Sequence, residues 1–314
     1  MTGRKTVLLC GVVALLLCSA CTKEEGQGNL LSVNYSFKWE RAYWDIRNGV
    51  IGQAFYNGPK LGTAWDLSIN RTSGKSILFA TVHRAAMKFY YGNCLGVHRP
   101  VLADSKTKIA VKDENASWGT GCCWGTWSHQ GVIPDIIIAY PANSTPSDYI
   151  IGTTIHELAH QSHLLFMNLG TYIQLGKEIH ESWAAAVEWA FLNDYYRTDL
   201  NAYTNGHYDR ADNLYFFSKQ NWEPGTMNGG KSYCYTPLFI DLIDNCNQSL
   251  DGYYRRPDDK ISGYSLQYIQ NNILPSAYGL SSCYNSVKNH KINGVTNQDI
   301  DDLFHHYWGY NYSR

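Results

Sequence analysis

Several signatures of common activities are missing from this 314-residue chain. No run of Lys and Arg alternates with aromatics, and the formal net charge is only -1, so charge draws the chain neither to nucleic acid nor to an acidic membrane. No glycine-rich loop precedes a helix to cradle phosphate, and no Gly-x-Ser-x-Gly elbow presents a serine nucleophile. Internal repeats and low-complexity stretches are absent too, which excludes solenoids and linker-like segments. Charged residues make up 17% of the chain and hydrophobic ones 44%, a globular balance with ample length for a buried core. Aromatics are plentiful, with 24 Tyr and 10 Trp, which fits either an aromatic core or an aromatic-lined cleft.

The N-terminus reads as a processing segment. Arg4 and Lys5 precede an apolar run from Thr6 to Leu17, too short to span a bilayer comfortably. Leu17-Cys18-Ser19-Ala20-Cys21 resembles a bacterial lipobox, with Cys21 as the lipidated first residue of the mature protein. Thr22-Lys23-Glu24-Glu25 then resembles the surface-export signal of some Gram-negative lipoproteins. These resemblances imply a signal peptide over 1–20, a tether over 21–30, and a body over 31–314 held by lipid at a bacterial outer membrane, surface-exposed. A periplasmic or secreted protein is the alternative. Removing residues 1–20 takes two of the 26 basic residues and none of the 27 acidic ones, leaving a mature charge of -3. With Cys21 taken by lipid, six cysteines remain, Cys94, Cys122, Cys123, Cys234, Cys246 and Cys283, an even number that suggests disulfides without choosing among pairings. No Cys-x-x-Cys spacing occurs among these six, which speaks against a separate structural zinc.

Along the body the pattern changes near residue 150. Before it, Thr63 to Ile69 and Lys108 to Lys112 read as strands, Ala80 to Tyr91 as a helix, and Ile133 to Tyr140 as a buried or edge strand. Trp118 to His129, containing the Cys122-Cys123 pair, reads as an irregular loop. After it, Tyr149 to Met167, Glu178 to Tyr196, Tyr235 to Asn245 and Asn297 to Trp308 carry apolar spacing near 3.6, with Asn297 as a suitable N-cap. A mixed half over 31–150 and a helical half over 151–314 make an α+β layout, with one chemically informative helix at the junction.

That helix carries His156-Glu157-Leu158-Ala159-His160. Residues four apart share a helix face, so both imidazoles can grip one metal ion while Glu157 holds a water beside it. A catalytic zinc needs a third protein ligand and keeps its fourth position open. The metzincin continuation fails, because His163 stands at its glycine position and Phe166 at its final histidine. Glu178-Ile179-His180-Glu181-Ser182-Trp183-Ala184 instead resembles the segment that supplies a glutamate ligand in gluzincins of the aminopeptidase-N type. The resemblance covers His156 to Glu188 and puts Glu181 in the ligand position, with small Ser182 and Ala184 beside it. It implies a zincin-like fold, a zinc ion held by His156, His160 and Glu181, and Glu157 as general base.

Glu178 and Glu188 share a face with Glu181, and Glu178 is its main rival. His180 is adjacent and points elsewhere. Ala185 stands where thermolysin-like enzymes place an Asp that orients a zinc histidine, so Glu188 or a backbone carbonyl takes that role. The aminopeptidase signature Gly-x-Met-Glu-Asn is missing, so no preference for N-terminal residues carries over. Tyr233, Tyr235 and His207 are candidates for stabilising an oxyanion, and His163 is either a cleft residue or a plain surface histidine. His305 and His306 read as structural. The strand over Ile133 to Tyr140 is the expected pairing partner for extended substrate, with the Cys122-Cys123 loop walling the same cleft. Together these readings describe a zinc metallopeptidase acting on peptide or protein, including glycoprotein. A non-catalytic lipoprotein that binds peptide or glycan is the alternative.

Overall fold

A computed structural model describes residues 33–61, 68–70, 72–101, 105–114, 120–123, 134–167, 169–197, 236–245 and 259–308. The segment over 1–30, Cys21, His207, Tyr233 and Tyr235 lie outside these residues, as does most of the strand expected over Thr63 to Ile69.

Short segments, two of them rich in β-branched residues, assemble a mixed five-stranded sheet. Its strands are β2 (Trp44–Asn48), β3 (Gly52–Gln53), β5 (Thr107–Lys112), β6 (Thr120–Cys123) and β7 (Ile136–Ala139), in the order β3-β2-β5-β7-β6. The inner strands β2, β5 and β7 run parallel, whereas β3 and β6 lie antiparallel at the two edges. A separate antiparallel pair joins β1 (Val33–Lys38) to β4 (Phe55–Leu61). In register, Ile46 faces Ile109 and Ile109 faces Ile136, and all three are fully buried. Parallel interior strands covered on both faces favour such continuous apolar runs.

This order selects the buried alternative for Ile133 to Tyr140, which corrects its expected role as a substrate-pairing edge, and it corrects the loop reading at 120–123. The apolar segment from Ile133 to Tyr140 supplies an interior strand, paired with β5 on one side and β6 on the other. Its successive isoleucines are apolar toward both faces of the sheet, which suits an interior position rather than an edge. The edge belongs to Thr120–Cys123, inside the stretch that reads as an irregular loop. Glycine-rich composition hides a four-residue strand whose existence depends on pairing with β7.

Helix α1 (Ser76–Tyr91) begins one turn before the expected Ala80 and packs on β2, β5 and the next helix. That next helix, α2 (Ser147–Met167), touches α1, β6, β7 and α4 (Lys177–Arg197), with the short α3 (Leu169–Tyr172) between α2 and α4. Being surrounded, α2 is buried on nearly every side between Ile150 and Leu164. Beyond it lie α5 (Leu238–Ile243), α6 (Leu266–Tyr268), α7 (Leu280–Asn289) and α8 (Asn297–Trp308). A π-helical turn over Ile269–Ile273 and a 3-10 turn over Leu274–Ser276 continue α6. Helix α7 is not legible as apolar spacing. The true cap of α8 is Thr296, whose hydroxyl accepts from the Asp299 N–H while the Asp299 carboxylate accepts from the Thr296 N–H.

One contiguous apolar cluster runs from Trp44 and Ile46 through Ile155 and Leu158 to Trp183, Phe239 and Phe304. It joins the sheet half to the helical half, and it accounts for much of the aromatic content as core. Cys283 is a free, buried thiol whose pKa burial pushes up, so any disulfide set excludes it. Among the described residues no helix is long and apolar enough to cross a membrane.

Candidate metal centre

Helices α2 and α4 pack closely against each other. On α4 the small Ser182, Ala184, Ala185 and Ala186 are all buried, and the Ser182 hydroxyl accepts the Thr236 N–H at 2.8 Å, tying α4 to the segment before α5. The close approach brings Glu181 of α4 against the two imidazoles of α2.

Three donor atoms meet. His156 Nε2 and His160 Nε2 are 3.1 Å apart, and each lies 3.3 Å from Glu181 Oε2. A tetrahedral zinc with bonds of about 2.0–2.1 Å holds neighbouring donors roughly 3.3 Å apart. The three separations therefore match one face of such a tetrahedron. His156, His160 and Glu181 form the one grouping among the described residues with metal-holding proximity.

The other nitrogen of each histidine is also engaged. His156 Nδ1 is 3.1 Å from Glu188 Oε2, and His160 Nδ1 is 3.2 Å from the Tyr172 hydroxyl. In the tautomer that presents Nε2 to a metal, Nδ1–H donates to these oxygens and fixes both rings. Glu188, two helical turns beyond Glu181, thus fills the role that Ala185 leaves open. Tyr172 is a member of the site that its place in the sequence does not announce; a lone tyrosine twelve residues after His160, in a chain with 24, carries no signal.

Electrostatics favour a cation. Glu157, Glu181 and Glu188 surround two buried imidazoles, and their charge requires compensation. Burial opposes a charge on His156, yet hydrogen bonds with Glu181 and Glu188 outweigh it and push its pKa up to about 9. Burial likewise works against ionised Glu181, but the two histidines hold its carboxyl well below the usual carboxylate range. For Glu157 burial wins, and its carboxyl is raised. A divalent cation held by these residues would supply the positive charge that a protonated His156 otherwise provides.

Other expected site residues lie elsewhere. Glu178 turns its carboxylate toward Gly176 and Gly279, at the start of α7, and does not join the donors. His163 is neither surface nor cleft: it is fully buried, edge-on to Tyr172 at 5.4 Å, and burial pushes its pKa down to about 3. His180 does not point away. Its ring lies 5.6 Å from those of His160 and Tyr172, and Nε2 is 3.9 Å from Glu181 Oε1. Burial, followed by the His160 charge, lowers its pKa to about 4. His305 is exposed on α8.

The chain matches no family model, no curated protein and no solved structure.

Proposed function

We propose that this chain is a zinc-dependent hydrolase of peptide bonds with a zincin-like fold, held by lipid at Cys21 on a bacterial outer membrane. The observation that carries the reading is the triangle of His156, His160 and Glu181 donor atoms, with sides of 3.1, 3.3 and 3.3 Å. Those three residues would hold the ion. When bound, zinc supplies Lewis acidity, lowering the pKa of water and polarising the scissile carbonyl.

The remaining chemistry belongs to the protein. Glu157, buried and with a raised pKa, is suited to take a proton from the attacking water and pass it to the leaving amine. Glu188 and Tyr172 keep the imidazoles oriented, so little reorganisation accompanies reaction. An extended peptide or protein segment, from a glycoprotein or a bare chain, would add to the outer edge of β6, which is unpaired among the described residues and packs against α2.

Replacing Glu157 by Gln tests this. Metal analysis should find one zinc per chain in both proteins, and a peptide-library digest should show cleavage by wild type alone, a loss of at least about 100-fold. Full cleavage by the variant removes Glu157 from the mechanism. The hydrogen-bonding distances within the cluster also suit a metal-free His-Glu network in a lipoprotein that binds peptide or glycan. That second reading requires purified protein without zinc and indifferent to chelator.

A further inference from the structure

The site is not equally open on all sides. Side-chain exposure is 7% for His160, 10% for His156 and 4% for Glu188, but 23% for Glu181 and 21% for His180. Of these five side chains Glu181 and His180 are the least enclosed and mark the more open side of the donor atoms. At that opening Glu181 uses Oε2 for the histidines and leaves Oε1 facing His180 Nε2 at 3.9 Å, too long for a hydrogen bond.

His180 is also unsatisfied. Neither ring nitrogen has a hydrogen-bond partner, although both atoms are buried. Buried polar groups without partners are rare and costly, and a recurrent reason is a ligand or water that the group awaits. Two other groups beside the triangle already have partners among the zinc-facing histidines. Tyr172 is engaged with His160 Nδ1, and Glu188 with His156 Nδ1. Both ring nitrogens of His163 are likewise without a hydrogen-bond partner, but that ring is fully enclosed beside Tyr172 and Trp183, away from any opening. Among the described residues His180 alone combines a spare N–H, proximity to the donors and a place at the opening.

We propose that His180 is a catalytic residue whose ring N–H donates a hydrogen bond to the oxyanion formed as the peptide carbonyl is attacked. This rests on the hydrolase reading above. In that step the water oxygen bonds to the carbonyl carbon, and the C=O π pair moves onto the carbonyl oxygen. The C–N bond then breaks as the pair returns, and the amine leaves with the proton relayed by Glu157. His180 keeps its own proton throughout. Its hydrogen bond is stronger to the oxyanion than to the ground-state carbonyl, so it acts on kcat rather than KM.

The full chain loaded with zinc is compared as wild type, His180→Ala and His180→Gln, using the best-cleaved peptide from a peptide library and its phosphinic isostere. Gln retains an N–H donor. Expected for His180→Ala are a kcat about 100-fold lower, KM within about twofold, unchanged zinc content, and about 100-fold weaker phosphinic binding. His180→Gln should recover at least tenfold of that loss. Undiminished kcat in His180→Ala overturns the proposal, as does loss of zinc or a kcat defect that leaves phosphinic affinity unchanged. Wild type that binds no zinc or cleaves no peptide overturns the hydrolase reading itself and this inference with it. Cleaving wild type with fully active His180→Ala overturns the role of His180 alone.

Discussion

His83 and His156 are both sequestered in the protein, one on α1 and one on α2, yet their surroundings shift their pKa values in opposite directions. His83 sits between indoles, with ring centroids 5.6 Å from Trp39 and 5.4 Å from Trp44, and its Nδ1 accepts the Trp44 N–H at 3.3 Å. Burial, helped by nearby Arg41, lowers its pKa to about 4. His156 is enclosed at least as fully, but α4 brings Glu181 and Glu188 against it, and its pKa rises to about 9. What separates the two histidines is the pair of carboxylates that a second helix delivers to His156.

The most direct way to break that contrast is Glu181→Ala. Apparent zinc binding energies of about 10–16 kcal/mol shared by four ligands make one ligand worth on the order of 3–4 kcal/mol. Zinc affinity should therefore fall several-hundred-fold, read by competition with a chromophoric chelator. Retained affinity would remove Glu181 from the ligand set.

Next in size is the opposite pH response of the two regions in metal-free protein. The folded pKa of His83 lies below the unfolded value near 6.5, so its neutral form contributes stability above pH 6.5 that is lost as pH falls toward 4. The shift corresponds to on the order of 3 kcal/mol. His156 behaves inversely: its stabilisation is present below pH 6.5 and lost as pH rises through about 9. Urea unfolding across this range should show a decline on both sides. His83→Gln, which keeps an acceptor for Trp44, should flatten only the acid side, while zinc should flatten the alkaline side by taking the place of the His156 proton. An acid limb unchanged in His83→Gln would disprove the first assignment.

Glu188→Gln separates orienting from ligation. It keeps an acceptor for His156 Nδ1 but removes the charge, so zinc affinity should weaken about 10- to 100-fold without loss of the fold. The smallest effect is expected for Tyr172→Phe, which deletes one hydrogen bond to His160 worth about 1 kcal/mol, roughly fivefold in zinc affinity. A larger effect for Tyr172 than for Glu188 would reverse the ranking of the two supports.

Much of this site was legible before any coordinates. The spacing of His156 and His160 sets them one turn apart on any helix, and α2 and α4 match the expected apolar segments to within two residues at each end. The strand β5 and the helix α8 were equally plain. Elements without a strong period were not. Helix α7 is short and carries serine and cysteine, and β6 is four residues rich in glycine and cysteine. Such segments take their structure from neighbours, so local pattern understates them.

Sequence alone determined the helix pair and which residue types it carries, because helical periodicity is a property of consecutive residues. It left Glu178 and Glu181 as rivals, gave His180 the wrong direction, and did not mark Tyr172 at all. Those matters depend on how α2, α3 and α4 pack, which the small buried Ser182, Ala184, Ala185 and Ala186 and a shared apolar core help to decide. Only that packing turned one glutamate toward two imidazoles, sent another to the start of α7, and left the His180 ring without a partner at the mouth of the site.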